Sequence, residues 1–567
     1  MYFWPFFRII AFFTFSYRIP PIHAFASNYT QKCRCFPGEP CWPKESEWAA
    51  FNQSINGRLI ATNPIGHVCH GDTYDAQQCA HLRASWNDPK THYTTSSSIM
   101  APYFANQSCD PFTSISARCG IGTYIQYAVN ATGASDYQKA IRFAQRYNLR
   151  LVIRNTGHDY LGKSTGAGAL GIWTHNMKSI EVLQYNSSSY TGKAIKLGAG
   201  VQSLEAFKEA HQHGLLTVGG NCPTVGIAGG YTQGGGIGPL TSMHGLGVEQ
   251  ALEWEVVTAS GELLKVSQIE HEDLFWALNG GGGGTYGAIL SLTVKAYEDV
   301  PMAGANLTFT REGVSQDAFF KVVEKFHECL PALADAGAVA IWTLTNTSFV
   351  LAPVTASRMS KEEVDGFLKP TFDELRENGM NYTYFSKLFP SYFDNYNALN
   401  PPPETSYFQM GGRFMPRSVV ASRNAEMTHA MREIVGYGAG IGGLSFKALT
   451  LNQSRSSLNP LWQDALVSVA VGIVWDNTNW DLNLANQGLM THTLIPTLDK
   501  LTPNASSVYL NEADFREPDW QQVFYGSSYE GLLRIKRKYD PNGLFYGRTA
   551  VGSEVWTEQT DGRLCHV

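Results

Sequence analysis

Two hydrophobic periods alternate along most of the chain. YIQYAV (residues 124–129) and LRLVIRN (149–155) are short apolar runs that predict strands. Between them SDYQKAIRFAQRYN (135–148) repeats its apolar positions every three or four residues, which predicts a helix capped by Ser135 or Asp136. The same order recurs in AIKLGAG (194–200), QSLEAFKEAHQHG (202–214, stopped by Gly214) and LLTVGG (215–220). Each β-α-β unit is expected to deliver one reactive side chain from a strand end, His158 from the first and Cys222 from the second. ALEWEVVTASGELLKVS (251–267) predicts a hairpin turning at Ser260 and Gly261, and the segment ending LSLTVKAYE (290–298) predicts another strand.

Beyond Pro301 the texture changes. SQDAFFKVVEKFHECL and SKEEVDGFLKPTFDELREN predict helices, whereas VAIWTLTN, SFVLAPVT and DALVSVAVGIVW predict strands. That mixture suggests an antiparallel sheet backed by helices, hence a second domain over residues 301–505. A tail from residue 506 carries a helix and the turn YDPNGLF (539–545), expected to return to the first domain. Residues 27–116 form a Pro-, Ser-, Asn- and Cys-rich arm with one apparent strand, GRLIAT.

Composition narrows the possibilities. A chain of 567 residues exceeds one hydrophobic core, and 44% apolar with 12% aromatic residues marks it as globular. A net charge of -6 leaves no basic footprint for nucleic acid. The first 26 residues hold an interrupted apolar run ending in Ala24, Phe25 and Ala26, the pattern of a cleaved secretory signal peptide; no membrane association is expected after cleavage. Ten acceptor triplets for N-linked glycans begin at Asn28, Asn52, Asn106, Asn130, Asn186, Asn306, Asn346, Asn381, Asn452 and Asn504, and predict surface turns there. Seven of ten cysteines precede residue 120 and Cys565 nearly closes the chain, so an exported protein would staple its arm with disulfides. If Cys222 serves another purpose, one further cysteine stays free, and Cys329 on its amphipathic helix is the natural one. No regular metal-ligand spacing is present, so no metal is expected.

The chemistry concentrates in two stretches. RNTGHDYLGKS (154–164) surrounds His158 with small residues that let backbone amides approach an anion. GGNCPTVGIAGGYTQGGGIG (219–238) sets nine glycines around Cys222, and Gly280 to Gly284 form a further run. Such stretches give up side-chain packing, which points to a flat, bulky cofactor filling the space. A Rossmann fingerprint does not fit GGGIGPL, and no Walker loop occurs.

In their order, RNTGHDYLGKS, GGNCPTVGIAGGYTQGGGIG, DLFWALNGGGGGTYGAI and YDPNGLF resemble the vanillyl-alcohol-oxidase superfamily in its berberine-bridge-enzyme-like branch, from residue 117 to the C-terminus. CRCFPGEPCWP and GRTAVGSEVW are similar to secreted fungal FAD-linked oxidases of the isoamyl alcohol oxidase type. The resemblance implies an α+β fold: a two-subdomain PCMH-type FAD-binding domain over 117–300, the substrate domain over 301–505 and a returning segment over 506–567. It implies FAD bound twice, through His158 to the flavin 8α methyl and through Cys222 to ring carbon 6. Asn155, Thr156, Gly157, Asp159, Tyr160, Gly162 and Ser164 would form the pyrophosphate loop. Thr224, Val225, Gly226, Gly229, Gly230, Gly287 and Ile289 would complete the FAD contacts.

Two links withdraw electron density from the ring, favouring hydride abstraction. Gly230 stands where many relatives carry a histidine, so backbone amides or His244 would stabilise the reduced ring. Val225 matches relatives that use dioxygen. Tyr509 and Glu512 are the candidate bases, with Asp514 behind them, and Trp342, Tyr407, Phe408 and Trp475 are candidate pocket aromatics. The implied activity takes a hydride from an alcohol and reduces O2 to H2O2, with isoamyl alcohol as one substrate. The alternative is a secondary-metabolite tailoring oxidase that closes a ring or desaturates.

Overall fold

The structure, a computed structural model, describes residues 33–402, 407–449, 451–503 and 505–567. The expected signal peptide and the triplets at Asn28 and Asn504 lie outside the described residues. Among those described, no helix is long and apolar enough to cross a membrane.

The first half begins with a four-stranded sheet of β1 (Leu59–Ala61), β2 (Tyr127–Asn130), β3 (Leu151–Arg154) and β4 (Leu170–Trp173), in the order β1-β2-β4-β3. The helix Ala134–Arg146 joins β2 to β3, yet these strands are not neighbours, because β4 inserts between them and pairs parallel with both. The helix starts one residue earlier than Ser135, with Gly133 at its cap. Asp136 still serves the turn: it accepts from the Thr132 amide and hydroxyl, each at 2.9 Å, and pairs with Arg58 at 2.5 Å.

A second, antiparallel sheet follows, of β5 (Ile180–Asn186), β6 (Thr191–Gly198), β8 (Ala251–Val257), β9 (Leu263–Ser267) and β10 (Ala288–Lys295), ordered β5-β6-β10-β8-β9. The segment expected to carry Cys222 from a strand end contributes only β7 (Leu215–Leu216), which pairs with β11 (Tyr297–Glu298). Cys222 lies in the loop beyond. Val508, Leu510, Ala513, Phe524, Leu532 and Val551 share the core beneath this sheet with Ile195, Trp254 and Leu292.

The other half is a seven-stranded antiparallel sheet of β12 (Met302–Thr310), β13 (Val339–Leu344), β14 (Ser348–Ser357), β15 (Tyr382–Phe389), β16 (Phe408–Pro416), β17 (Gly440–Ser445) and β18 (Ala465–Val474), ordered β15-β12-β14-β13-β17-β18-β16. Helices Gln316–Asp335, Lys361–Glu377 and Asn424–Gly436 bury one face in the largest hydrophobic core. The opposite face of its centre looks onto the first half.

Four disulfides secure the periphery: Cys33 to Cys565, Cys35 to Cys41, Cys69 to Cys79 and Cys109 to Cys119. Cys222 and Cys329 are free, and Cys329 is buried in the helical core. The first bridge joins the arm to the last strand of the chain. Four triplets depart from the surface-turn expectation: Asn52 lies in the helix Glu45–Ser54, Asn130 and Asn186 close β2 and β5, and the fourth is Asn306. Asn306 lies inside β12, and its amide donates to the Leu399 carbonyl at 3.2 Å.

Candidate active site

A cavity of 450 Å³ runs between the two halves. Its ends differ in construction. One is built from loops of the first half and the other from strands β13, β17 and β18.

The loop end rests on two clamped turns. After β3, the Asp159 carboxylate accepts from the Lys163 amide at 2.6 Å and the Ser164 amide at 3.1 Å, closing the loop on itself. Asp159 thus shapes the turn. Gly157 has φ +82, and a Cβ there would sit 2.7 Å from Arg154 Nη1, so this position requires glycine on both counts. The loop 220–226 is docked on the N-terminus of the helix Ser203–Gln212. The Ser203 amide donates to Val225 O at 2.9 Å, and the Leu204 amide to Pro223 O at 3.0 Å. These are amides with no partner inside the helix, satisfied here by the loop. Gln202 Nε2 donates to Thr224 O at 2.8 Å, and Tyr396 of the second half donates to Asn221 O at 2.6 Å.

His158 and Cys222 meet through this docking. His158 Nε2 lies 2.7 Å from Thr224 Oγ1, and Cys222 Sγ lies 3.5 Å from the same oxygen. Burial, with His92 and Arg154 nearby, lowers the His158 pKa to about 4, so the ring is neutral. Both side chains line the cavity, with Asn155, Thr156, Gly157, Asp159, Tyr160, Ser164, Val225, Gly226, Gly229, Gly230, Gly287 and Ile289. Gly162 and Thr224 are not on its wall. A Cβ on Gly162 would strike Phe104, and Thr224 stands behind the two reactive side chains.

The glycine tract serves two purposes. Gly229 and Gly230 line the cavity, where an added Cβ would meet only Asn155 Nδ2 at 3.6 Å and Asn511 Oδ1 at 3.8 Å, and Gly283 packs so closely on Gly230 that its Cβ would come within 2.9 Å of the Gly230 Cα. Gly219, Gly235 and Gly238 instead meet Phe207, Trp462 and the Gly219 carbonyl respectively, so part of the tract is loop-to-loop packing rather than cofactor space.

Three cavity-lining residues carry a buried polar atom with no partner among the described residues, Asn155 Oδ1, Asn221 Oδ1 and Gln233 Oε1, while the similarly unpartnered Tyr231 hydroxyl lies beside Gly238. Buried groups of this kind are normally satisfied, so the wall is shaped for a polar ligand. Lys163 also lines the cavity, forms no ion pair among the described residues, and has its pKa lowered to about 8 by burial. A lone ammonium in a loop of backbone amides suits a pyrophosphate. Lys163, Asn221, Tyr231 and Gln233 were not singled out from the sequence, although each lies inside a glycine-rich stretch whose polar exceptions were the available signal.

The strand end is different. Register sets Ile341 opposite Leu444 and Leu444 opposite Ser468; it likewise sets Thr343 opposite Gly442 and Gly442 opposite Ala470. These six residues line the cavity as a flat patch of small and apolar groups. Trp342 also borders the cavity, as expected, although its ring packs against Phe326 and His327 of the helical layer. Tyr407, Phe408 and Trp475 are off the cavity wall; Tyr407 stacks on Phe408 and Trp475 packs on Trp480. His244 is also outside, stacked on Tyr297 with ring centroids 3.9 Å apart. Stabilisation of a reduced ring by His244 is therefore excluded on geometry.

Between the two ends stands the segment Tyr509–Glu512. The Tyr509 hydroxyl accepts from Asn511 Nδ2 at 2.8 Å, and burial beside Glu512 raises its pKa. Asn511 Nδ2 also donates to Gly230 O at 2.9 Å, linking this segment to the glycine tract. Glu512 lines the cavity, its carboxyl forms no hydrogen bond among the described residues, and burial raises its pKa to about 7. Asp514 is elsewhere. Its oxygens accept from Thr491 Oγ1 at 2.5 Å, Gln487 Nε2 at 2.9 Å and the Arg516 amide at 2.9 Å, away from the cavity. Held by three protein donors and off the cavity wall, Asp514 cannot reach a substrate there, which removes it from the candidate bases.

Comparison with known proteins identifies the family. Residues 125–267 match an FAD binding domain, and residues 508–552 match the berberine and berberine-like family. The chain is 49% identical to the FAD-linked oxidoreductase sor8 of Hypocrea jecorina, covering 96% of this chain and 94% of that protein. It is 38% identical to the bifunctional decalin synthase calF of Penicillium decumbens, covering 97% and 98%. The crystal structure of the VAO-type flavoprotein MtVAO615 from Myceliophthora thermophila superposes with a TM-score of 0.90 at 40% identity, covering 94% of this chain and 100% of that one. The chain belongs to the berberine-bridge-enzyme-like family of VAO-type, FAD-linked oxidoreductases.

Proposed function

From that membership we propose that the protein is a secreted oxidase that carries FAD on two covalent bonds, from His158 and Cys222, and oxidises an uncharged, alcohol-type substrate with dioxygen as electron acceptor. The observation that carries this reading is the convergence of a neutral imidazole, a free thiol and an unpartnered carboxyl on one cavity.

Asn155 to Ser164, with Lys163, would hold the pyrophosphate, and Val225, Gly226, Gly229, Gly230, Gly287 and Ile289 the remainder of the cofactor. FAD, when bound, supplies the hydride acceptor. Glu512 takes the hydroxyl proton of the substrate. Its freedom from partners among the described residues and its pKa near 7 suit a base that works at neutral pH. Tyr509, held by Asn511, orients the same hydroxyl. The patch of Ile341, Thr343, Gly442, Leu444, Ser468 and Ala470 receives the rest of the molecule and presents no charge, which favours a neutral substrate.

Small alcohols such as isoamyl alcohol, oxidised to isovaleraldehyde, fit this description. A tailoring role in secondary metabolism is the second reading, favoured by a relative named for decalin synthesis. Four disulfides agree with export through an oxidising compartment, where the surface triplets would carry N-linked glycans.

The primary test is acid precipitation of the purified protein followed by trypsin digestion. Yellow colour retained in the pellet, and a flavin-bearing adduct of the two peptides that contain residues 158 and 222, is the expected result. Colour released entirely to the supernatant refutes the covalent reading. A peroxide assay across simple alcohols then separates the two substrate readings.

A further inference from the structure

We infer that the Thr224 hydroxyl is a positioning residue shared by both attachment bonds: it fixes the tautomer of His158 and receives the thiol proton of Cys222. This rests on the double-attachment reading above. Thr224 Oγ1 is 2.7 Å from His158 Nε2 and 3.5 Å from Cys222 Sγ, so one hydroxyl stands between the two nucleophiles.

A threonine hydroxyl carries one donor and two acceptor sites, enough to serve both neighbours. A neutral imidazole carries a single N–H. When the single hydroxyl proton is turned to Cys222 Sγ, Thr224 Oγ1 accepts from Nε2–H, and the free lone pair lies on Nδ1, which forms no hydrogen bond among the described residues. That arrangement makes Nδ1 the nucleophile. Without the hydroxyl the two tautomers compete, and the one protonated at Nδ1 cannot form the bond.

Cysteine attacks as thiolate, so its proton needs an acceptor. Once Nδ1 has been alkylated, Nε2 carries a lone pair in place of its proton. The hydroxyl can then reverse, donating to Nε2 while accepting from the thiol.

Each attachment replaces one C–H of the flavin and one N–H or S–H of the protein by a C–N or C–S bond. The two hydrogens and two electrons pass to dioxygen, the acceptor of the proposed reaction, as hydrogen peroxide.

The position of the hydroxyl is fixed from outside the pair. Gln202 Nε2 holds the Thr224 carbonyl at 2.8 Å, and the helix amides of Ser203 and Leu204 hold the carbonyls of Val225 and Pro223 on either side. Thr224 contributes no wall to the cavity, so its removal should alter attachment without altering the space for the cofactor.

The test compares the wild type with Thr224→Val and Thr224→Ser, measuring total flavin before denaturation and the doubly linked fraction after acid precipitation and peptide mapping. Thr224→Val should bind as much flavin in total but lose at least about fivefold of the doubly linked fraction, the size expected when one such hydrogen bond is removed. Thr224→Ser should restore it. Equal double linkage in Thr224→Val and wild type overturns the inference, as does Thr224→Ser depleted to the same degree as Thr224→Val. If Thr224→Val does not fold, Thr224→Ala makes the same comparison. Release of all flavin from the wild type refutes the double-attachment reading itself, a different outcome from a tethered wild type with an equally tethered Thr224→Val.

Discussion

The two ends of the cavity are made by opposite means. The loop end is backbone: glycines, a self-capped turn and a loop fixed on a helix N-terminus, with polar atoms of lining residues left unpartnered among the described residues. The strand end is side chain: six residues from three strands, aligned by register and free of charge. A cofactor common to a whole family suits the first, because backbone geometry tolerates substitution elsewhere in the chain. A substrate that differs among relatives suits the second, because each of the six positions can change without disturbing the sheet. Glu512 stands where the two meet, and it offers the sharpest way to separate them.

Glu512→Gln should cost the most. Loss of a general base is worth about 10²–10⁴ in turnover, while the flavin content and its attachment should stay at the wild-type level. The wild-type rate should rise with pH through about 7 as the carboxyl ionises, and the variant should lose that limb. Stability moves the other way. Burial raises the folded-state pKa from 4.5 to about 7, so the folded state keeps a proton that the unfolded chain releases, and the wild type loses stability as pH rises across that window. Gln does not titrate, so thermal melts should show the variant gaining on the wild type from acid to mildly alkaline pH. A flat pH–rate profile in the wild type would show that another group takes the proton.

Breaking the loop end from below should rank next. Lys536 is buried, pairs with Asp540 at 2.7 Å, and donates at 2.7 Å each to the carbonyls of Thr285 and Phe545; the first follows the five-glycine run and the second lines the cavity. Asp540 also accepts from the Leu544 and Phe545 amides at 2.8 and 2.9 Å, which explains the YDPNGLF motif physically. Lys536→Met leaves that carboxylate buried without its cation and should cost about 3–5 kcal/mol, measurable by denaturant unfolding. Flavin retention should fall with it.

The two ends were not equally legible in the sequence. Glycine runs and the loops of His158 and Cys222 are local features, so residue order locates them, whereas Asp159, expected as a cofactor contact, is seen to close its own loop only in the folded chain. The inserted β4, by contrast, follows no local pattern. Trp342 shows the limit more clearly: a strand pattern gives the alternation of faces but not which face meets the helices. It borders the cavity with its neighbours Ile341 and Thr343, while its indole packs under the helix Gln316–Asp335. Glu512 and Asp514 are separated by the same geometry. Residue order ranks Glu512 ahead of Asp514 without separating them, and only the folded chain gives Asp514 three hydrogen bonds and Glu512 none among the described residues.

That contrast makes its own prediction, smaller than the preceding two. Asp514→Asn replaces an acceptor with a donor facing Thr491 and should cost about 1–3 kcal/mol of stability, read by thermal or denaturant unfolding. Turnover per folded, flavin-loaded molecule should remain within about threefold of wild type, as for a substitution away from the reacting groups. A loss matching that of Glu512→Gln would place Asp514 in the proton path after all.

The smallest expected effect tests the strand end alone. Gly442 faces the cavity between Thr343 and Ala470, and a Cβ added there would meet Ala470 only at 3.9 Å, an ordinary contact. Gly442→Leu should therefore fold and keep its flavin, because the new side chain extends into substrate space rather than into the core. Its effect should depend on substrate size, with kcat/KM falling about tenfold for the bulkiest alcohol accepted, close to the ~1–3 kcal/mol typical of filling a packed site, and changing little for the smallest. A uniform loss across all alcohols would mean that Gly442 supports the sheet itself. A loss of flavin would mean that the cofactor extends over β17, and the division between a backbone-built end and a side-chain-built end would then be drawn in the wrong place.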